Sequence, residues 1–275
     1  MTKDGSVARR SHGDFFGEGA LLHPKKIRSA TISCVTPVHA IEITREYFEK
    51  FLADSSVSLN LIEKDRIRKR NRAKSILRVQ KNLKEMKVRK GDYLFRKGQD
   101  GDRLFILEKG QINILNEDDG HTIFTVKEGD LCGEHSLVMG RPRNSSAVCV
   151  SDDCVVYEMT ARDFYAIYNS SSQLKMSLRE LCLRREFQKA VVHEMDNHFP
   201  CIENLRKVFD YLDENKSGEI GFDQIRKFMI KFDPSLSESE IREILESMDL
   251  NESGKVNFDE FRHVFAASER RSASM

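Results

Sequence analysis

The apolar positions of this chain change their period along the sequence. Between residues 87 and 168, short apolar–polar alternations are separated by turn signals such as Lys109-Gly110 and Glu128-Gly129-Asp130. This pattern predicts strands over residues 93–95, 103–108, 111–116, 122–126, 146–150 and 155–159. Strands this short and this regularly spaced are typical of a β-barrel or jelly roll.

Helical spacing dominates the rest of the chain. It predicts helices over residues 45–52, 161–168 and 172–197, and residues 54–86 are polar and helix-favouring, without Gly or Pro. Beyond residue 200, helical segments are interrupted by two loops rich in Asp, Asn and Gly. The fold class that these patterns predict is α+β, a strand-rich barrel followed by an all-α module.

The two loops cover residues 213–224 and 249–260, and each carries oxygen donors at positions 1, 3 and 5. Calcium prefers six to eight oxygen ligands on a flexible loop with a glycine at position 6, which is Gly218 in one loop and Gly254 in the other. Position 7 contributes only its backbone carbonyl, and Ile220 and Val256 at position 8 suit a short strand pair between the loops. The predicted metal ligands are Asp213, Asn215, Ser217, Glu219 and Gln224 in the first loop, and Asp249, Asn251, Ser253, Lys255 and Glu260 in the second.

These loops and their apolar flanking helices resemble the EF-hand family over about residues 201–267. Both loops depart from the strict motif with Ser at position 5, and the first has the neutral Gln224 where the second has Glu260. The first loop therefore offers one ligand carboxylate and the second offers two, so we predict that the second binds Ca²⁺ more tightly. The alternative is a pair of acidic turns that only connect helices.

A second candidate site lies within residues 132–146. Arg143 offers a guanidinium fork for a phosphate, the backbone after Gly133 offers free N–H groups, and Glu134 offers a carboxylate for a ribose hydroxyl. Ser145 completes the candidate set. The segment resembles the phosphate-binding cassette of the cyclic-nucleotide-binding domains of kinase regulatory subunits and gated channels. The resemblance covers about residues 81–170 and implies a cAMP or cGMP ligand; Cys132, Ser136 and Asn144-Ser145 depart from the family pattern. A barrel that kept its fold and lost its ligand is the alternative.

A second copy of this cassette stands near the start of the chain. By the same resemblance, Glu18 holds the ribose and Arg28 the phosphate, and Gly17 and Ser29 complete the candidate set. The strands that precede such a cassette in the family are missing here, and we expect a truncated first barrel. The alternative is a half-barrel that takes its missing strands from another chain. In the family, a hydroxyl after the phosphate arginine is typical of cGMP sites, so Ser29 favours cGMP, whereas Asn144 favours neither nucleotide.

Composition narrows the function further. Lys and Arg (45) balance Asp and Glu (44), which gives no global bias towards nucleic acid. No apolar run approaches the roughly 18 residues that span a bilayer. The six cysteines lack zinc spacing, so we expect reduced, packing cysteines in a cytoplasmic protein. No triphosphate loop, kinase triplet or GxSxG motif is found, and we expect no catalytic activity.

Together these features predict a calcium- and cyclic-nucleotide-binding regulator with a protein target, for which a kinase is the candidate. The alternative function is a regulatory fragment of a cAMP- or cGMP-dependent protein kinase. We expect the nucleotide to order the helix after the barrel, and calcium to open an apolar groove in the EF-hand pair. The predicted division is a partial nucleotide-binding domain (1–53), a helical linker (54–80), a complete nucleotide-binding domain (81–170), a connecting helix (171–200), the EF-hand pair (201–267) and a disordered tail (268–275).

Overall fold

The structure is a computed structural model that describes residues 12, 14–22, 28, 31–52, 55–78, 80, 82–116, 120–195 and 202–269. The chain forms two compact units, Met1–Lys69 and Arg70–Met275. The helices of the first part are α1 (Gly19–Leu22), α2 (Arg45–Leu52) and α3 (Ser55–Arg78), the last of which continues into the second unit. The domain boundaries proposed above stay a prediction, and most of the expected tail, residues 270–275, lies outside the described residues.

Two four-stranded antiparallel sheets form the barrel of the second unit. One has the order β1-β8-β3-β6 and the other β2-β7-β4-β5, which is the strand order of a jelly roll. The strands are β1 (Lys84–Val88), β2 (Tyr93–Phe95), β3 (Arg103–Lys109), β4 (Ile112–Leu115), β5 (Thr122–Val126), β6 (Leu131–Cys132), β7 (Ser146–Cys149) and β8 (Cys154–Thr160). The predicted fold class is confirmed.

The core between the sheets explains the alternating sequence pattern. Phe105 and Leu107 of β3, Ile112 and Ile114 of β4, and Val156 of β8 are all buried in one cluster. In β3 and β4, residues two apart point to the same face of a sheet, so each strand contributes every second side chain to this cluster. Five cysteines are described and all are free; four are buried and Cys34 is exposed.

Two barrel strands, β1 and the two-residue β6, were not predicted from the sequence. The helix-favouring region 54–86 ends its helix at Arg78, and β1 follows at Lys84–Val88, paired with β8. Only Met86 and Val88 give β1 an apolar pattern, and a pattern this short does not separate a strand from a helix. Cross-strand pairing with β8 decides the local structure instead.

Three helices complete the barrel region: α4 (Glu134–Met139), α5 (Ala161–Tyr168) and α6 (Ser172–Glu194). Side chains cap two of them, since Thr160 Oγ1 accepts from Asp163 N at 3.2 Å and Ser171 Oγ accepts from Leu174 N at 3.2 Å. These caps satisfy backbone N–H groups that have no partner within the helix. The predicted end of α6 at residue 197 lies outside the described residues.

The C-terminal part contains two helix–loop–helix units. Its helices are α7 (Ile202–Leu212), α8 (Phe222–Phe232), α9 (Glu238–Met248) and α10 (Phe258–Glu269), and two short strands, β9 (Glu219–Ile220) and β10 (Val256–Asn257), pair antiparallel. The register places Ile220 opposite Val256, so the predicted strand pair between the loops is confirmed. None of the described helices combines the length and apolar character needed to cross a membrane.

Candidate functional site

The second cassette forms one wall of a small cavity. Gly133, with a backbone φ of 80°, turns the chain from β6 into α4, and the segment after α4 returns through Arg143 into β7. Gly133, Glu134, Arg143 and Ser145 all line this cavity, whose volume is about 40 Å³. The structure therefore brings together all four residues that the sequence predicted for this site.

Arg143 is almost completely buried beside Gly133. Its two terminal nitrogens donate to the carbonyl oxygens of Gly133 and Arg103, the latter at 2.6 Å, and its guanidinium carbon lies 4.3 Å from the centre of the Phe95 ring. Burial lowers the pKa of the Arg143 guanidinium from its ordinary value. Carbonyl oxygens and an aromatic face are weaker partners than a carboxylate, and among the described residues Arg143 forms no direct ion pair, although the Asp102 and Glu134 carboxylates are near enough to act on its charge.

Glu134 is buried and forms an ion pair with Arg185 of α6. The same nitrogen of Arg185 also donates to the carbonyl oxygen of Leu131 at 3.2 Å. Burial alone would lower the pKa of Arg185, but the Glu134 and Asp130 carboxylates outweigh it and raise the pKa. Arg185 was not among the predicted site residues.

Two further residues of α6 reach the cassette. Glu186 accepts a hydrogen bond from the Asn144 amide and lies 3.0 Å from His135 Nε2, while Lys189 Nζ donates to the Asn144 carbonyl oxygen at 2.7 Å. Ser145 Oγ donates to Asn144 Oδ1 at 2.9 Å. Asn144, which departs from the family pattern, is therefore the residue through which α6 holds this loop.

Three buried polar atoms on residues that line this cavity are not satisfied within the described part of the chain. Glu134 Oε2 and Arg143 Nε have no hydrogen-bond partner, and neither has His135 Nε2, although it lies 3.0 Å from Glu186. Buried polar atoms in proteins are nearly always paired, so an acceptor and a donor left free in one cavity are typical of a ligand site. A sugar hydroxyl suits the first and a phosphate oxygen suits the second.

The first cassette repeats these contacts within the first unit. Arg28 Nη1 donates to the Gly17 carbonyl oxygen at 2.8 Å, as Arg143 does at Gly133. Glu18 is buried and pairs with Arg68 of α3, and Arg68 also donates to the carbonyl oxygen of Phe15 at 3.3 Å. Ser29 lies outside the described residues.

The repeated arginines are separated from their glutamates by nearly the same distance in sequence. Arg68 follows Glu18 by 50 residues and Arg185 follows Glu134 by 51. Each arginine also binds the carbonyl of the residue two places before the cassette glycine, Phe15 or Leu131. This shared spacing is the sequence signal that could have revealed both arginines.

The two calcium loops have closely similar backbone geometry. Lys216 and Glu252, at position 4 of each loop, have the left-handed φ values of 53° and 59°. The carboxylate at position 1 accepts from the N–H groups of positions 5 and 6 in both loops: Asp213 from Ser217 (3.0 Å) and Gly218 (2.7 Å), and Asp249 from Ser253 (3.0 Å) and Gly254 (2.7 Å). Side-chain oxygens of both loops are thereby turned inwards, as a calcium site requires.

The loops differ at their last position. Glu260 is buried, and its carboxylate accepts from the N–H groups of Leu250 (2.9 Å), Asn251 (3.1 Å) and Asn257 (3.0 Å). The side-chain oxygen of Gln224 accepts from Gly221 N at 2.7 Å. Burial raises the pKa of Glu260 above its ordinary value. Glu260 thus places a carboxylate over the start of its loop, which suits a cation there.

The position 7 side chains do not enter the loops. Lys255 and Glu219 are joined to each other across the loops at 3.1 Å, which leaves their backbone carbonyls as the inward groups. Those carbonyls accept from the hydroxyls of Ser253 at 3.1 Å and Ser217 at 2.9 Å. Within the described ranges no three His, Cys, Asp or Glu side chains form a cluster. The donors are mixed oxygens with few carboxylates, and this set fits calcium.

A jelly roll with a Gly–Glu–Arg cassette, followed by two paired loops of calcium-binding type, is typical of regulatory signalling proteins. The family model of the cyclic nucleotide-binding domain matches residues 1–55 and 85–171, just over half of the chain. The chain therefore belongs to the cyclic nucleotide-binding domain family. The EF-hand domain pair matches residues 202–266. The predicted family resemblances, and the predicted ligands that go with them, a cyclic nucleotide and Ca²⁺, are confirmed at the level of the family.

Curated relatives match about half of the chain. The human cGMP-dependent protein kinase 2 is 28% identical over 161 residues, covering 52% of this chain and 20% of the kinase. The cAMP-dependent protein kinase regulatory subunit of Candida albicans is 27% identical over 148 residues, covering 52% of this chain and 32% of that subunit. The chain thus spans a third or less of these relatives. Among solved structures, it is similar to the regulatory domain of Toxoplasma gondii PKA with cAMP (25% identity, 42% of this chain and 43% of that chain, TM-score 0.32).

Proposed function

We propose that this chain is a non-catalytic, cytoplasmic regulator that binds a cyclic nucleotide in its second cassette and Ca²⁺ in its C-terminal loops. Arg143 binds the cyclic phosphate, and the backbone after Gly133 adds N–H donors. Glu134 accepts a hydrogen bond from the ribose hydroxyl. Ser145 contributes a further hydroxyl at the same cavity. Asp249 and Glu260 provide the two carboxylates of the tighter calcium site.

The main support for a nucleotide ligand comes from unpaired polar atoms in the cavity. Glu134 Oε2 and Arg143 Nε are buried in the same cavity and lack partners among the described residues. The cyclic ribose phosphate is a ligand that offers a hydroxyl donor beside an anionic acceptor, and so satisfies both atoms. The family membership supports the same ligand class.

The test uses the full chain, because α6 packs into the core of the EF-hand pair as well as against the barrel. Fluorescent cAMP and cGMP are titrated onto the wild type, onto Arg143→Ala and onto Arg162→Ala, whose side chain is exposed on α5. We expect saturable binding that Arg143→Ala weakens by about 30-fold or more, the loss of a charge contact worth about 2 kcal/mol or more. Arg162→Ala binds as the wild type does. Absence of saturable binding, or equal binding by Arg143→Ala, would refute the assignment.

A second candidate function is the regulatory part of a cyclic-nucleotide-dependent protein kinase. It is favoured by the relatives, which are such kinases or their regulatory subunits and match this chain over half its length. On this hypothesis the chain inhibits a kinase catalytic subunit, and a cyclic nucleotide releases the inhibition. Phosphoryl transfer by a cAMP- or cGMP-dependent catalytic subunit, measured with and without this chain, tests it. An unchanged rate at saturating chain would exclude a kinase target of this type.

A further inference from the structure

Helix α6 belongs to two hydrophobic cores at once. Its first half places Leu174, Leu178 and Leu181 in a cluster with the outer face of the barrel. Its second half is packed inside the EF-hand pair, through Leu183, Phe187, Ala190 and Val191. A helix that is buried on several sides is a structural element of both modules and not a linker between them.

Phe187 is the centre of the second contact. Its side chain is fully buried, with ring centroids 6.0 Å from Phe228 of α8 and 5.8 Å from Phe261 of α10. On either side of it, Arg184 and Gln188 donate to backbone carbonyls of α10, at 3.1 and 2.7 Å. EF-hand pairs bind target helices by taking such an aromatic anchor into an apolar groove. Here the occupant of the groove is α6 of the same chain.

The same turns of α6 close the nucleotide cavity. Arg185, Glu186 and Lys189 line it, and they alternate along the helix with the residues that enter the EF-hand core. The remaining volume of about 40 Å³ is far below the roughly 300–1,000 Å³ of ordinary small-molecule pockets. A cyclic nucleotide therefore enters only if these turns of α6 withdraw, and the EF-hand groove opposes that movement.

A second contact joins the cassette directly to the EF-hand pair. Arg141, two residues before Arg143, binds both carboxylate oxygens of Glu240 at 2.9 and 2.7 Å. Glu240 lies in the first turn of α9, the helix that ends at the calcium ligand Asp249. Met139 at the end of α4 also packs against the EF-hand core. The loop that carries the phosphate arginine is thus anchored to the helix that leads into the second calcium loop.

We propose that the EF-hand pair is a calcium-dependent lock on the nucleotide site, with α6 as its internal target helix. Calcium stabilises the open form of sensor EF-hand pairs, which is the form that holds a helix in its groove. Calcium therefore tightens the hold on α6, and α6 held in this position excludes the nucleotide. Linkage requires the nucleotide to weaken calcium binding by the same factor. This inference rests on the proposed nucleotide and calcium binding and adds the direction of the coupling.

The test measures the Kd of fluorescent cAMP and cGMP for the full chain, in saturating calcium and in a calcium chelator. We expect calcium to raise the Kd by about 5-fold or more. Arg141→Ala and Glu240→Gln reduce this ratio, since each removes the direct contact, and Phe187→Ala removes the anchor of α6. Met176→Ala, on an α6 residue that is 61% exposed, keeps the wild-type ratio. Equal Kd values, or tighter nucleotide binding in calcium, would overturn the proposal.

A readout without nucleotide separates this inference from the proposed function. Amide hydrogen exchange over residues 183–192 of the full chain should slow when calcium is added, and slow less in Arg141→Ala. A chain that binds neither cAMP nor cGMP but shows this protection has the lock and lacks the proposed ligand. If the chain binds calcium but amide exchange in residues 183–192 stays unchanged when calcium is added, there is no lock. The charge variants Arg141→Ala and Glu240→Gln keep the test valid if Phe187→Ala fails to fold.

Discussion

The guanidinium of Arg141 binds both carboxylate oxygens of Glu240, at 2.9 and 2.7 Å, across 99 residues of sequence. The Glu240 carboxylate also accepts from the backbone N–H of Ser237 at 2.9 Å and from its hydroxyl at 2.8 Å. One carboxylate therefore completes the capping box of α9 and holds the nucleotide cassette. The start of α9 and the cassette loop are therefore in direct contact, with no residue between them.

The stability that Glu240 contributes should depend on pH in the acid range. Burial alone would raise the pKa of this carboxyl, but hydrogen bonds from Ser237 and the charge of Arg141 outweigh it and place the pKa below its ordinary value of 4.5. A group with a lowered pKa in the folded state stabilises the fold above its unfolded pKa, and the stabilisation is lost as the pH falls through the folded pKa.

Urea unfolding of the wild type and Glu240→Gln between pH 7 and pH 3 measures this effect. We expect the variant to be less stable by about 1 kcal/mol above pH 4.5, the usual size of a hydrogen-bond contribution. The difference shrinks as the pH falls further. A difference that stays constant over the whole range would contradict the role assigned to the ionised carboxylate.

Gly133 should tolerate an added methyl group much less than Gly140. Both have left-handed backbone, with φ of 80° and 67°. A Cβ on Gly133 meets Arg143 Nη1 at 2.7 Å and Phe95 Cε1 at 3.1 Å, whereas a Cβ on Gly140 meets no atom within 4 Å. Gly140→Ala therefore lowers the free energy of unfolding only through backbone strain, by about 1 kcal/mol.

Gly133→Ala adds displacement of Arg143 to the same strain. We expect it to lower the free energy of unfolding by at least about 1 kcal/mol more than Gly140→Ala does, and to weaken nucleotide binding selectively. Thermal unfolding and nucleotide titration of both variants check this. Similar behaviour of the two variants would show that the position of the Arg143 guanidinium is not critical.

The two calcium loops should differ in affinity, with the second tighter. Glu260→Gln removes one of the two ligand carboxylates of that loop and should weaken its binding on the order of 10-fold or more. Gln224→Glu adds a carboxylate to the first loop and should strengthen it. Isothermal titration calorimetry of the full chain with Ca²⁺ measures both. Two equally tight sites in the wild type would refute the ranking.

The buried pair of Glu134 and Arg185 should show strong energetic coupling. Arg185→Met leaves a buried carboxylate without its cation, which costs about 3–5 kcal/mol. The double variant Arg185→Met/Glu134→Gln should cost clearly less than the sum of the single changes. Denaturant unfolding of all four chains gives the coupling, and additive costs would show that the pair is not coupled.

An exposed ion pair on the barrel provides a control for this double-variant cycle. Lys109 and Asp153 form an ion pair whose side chains are 60% and 66% exposed. Solvent screens such a pair, so the same cycle there should show no measurable coupling. The contrast tests whether burial, and not the ion pair alone, is responsible for the effect at Glu134.

Local sequence patterns predicted most elements of the barrel well. The strands Tyr93–Phe95 and Thr122–Val126 and the helix Ala161–Tyr168 begin and end where their patterns do. The strand Lys84–Val88 was missed, since its structure depends on a partner strand about 70 residues later in the chain. Pairing at such a distance leaves no periodic signal in a segment of five residues.

The calcium loops and the cassettes were recognisable because their ligands lie close together in sequence. The predicted calcium ligands fall within one loop of twelve residues, and the predicted nucleotide-binding residues Gly133, Glu134 and Arg143 fall within one strand–helix–strand segment. For Arg185 the only signal in the sequence is its long-range spacing from Glu134, which nearly equals that of Arg68 from Glu18. On a polar helix face, an arginine that binds a buried glutamate looks the same in sequence as one that faces water.

The sequence by itself determined the family, the jelly roll and the candidate ligand residues, since these depend on short-range spacing and alternation. Only the tertiary structure decided what covers those residues. It placed one face of α6 over the cassette and the other in the EF-hand groove, and it brought Arg141 to Glu240. Such contacts depend on packing between distant segments, where complementary shape and burial select the partner and no local periodicity records the choice.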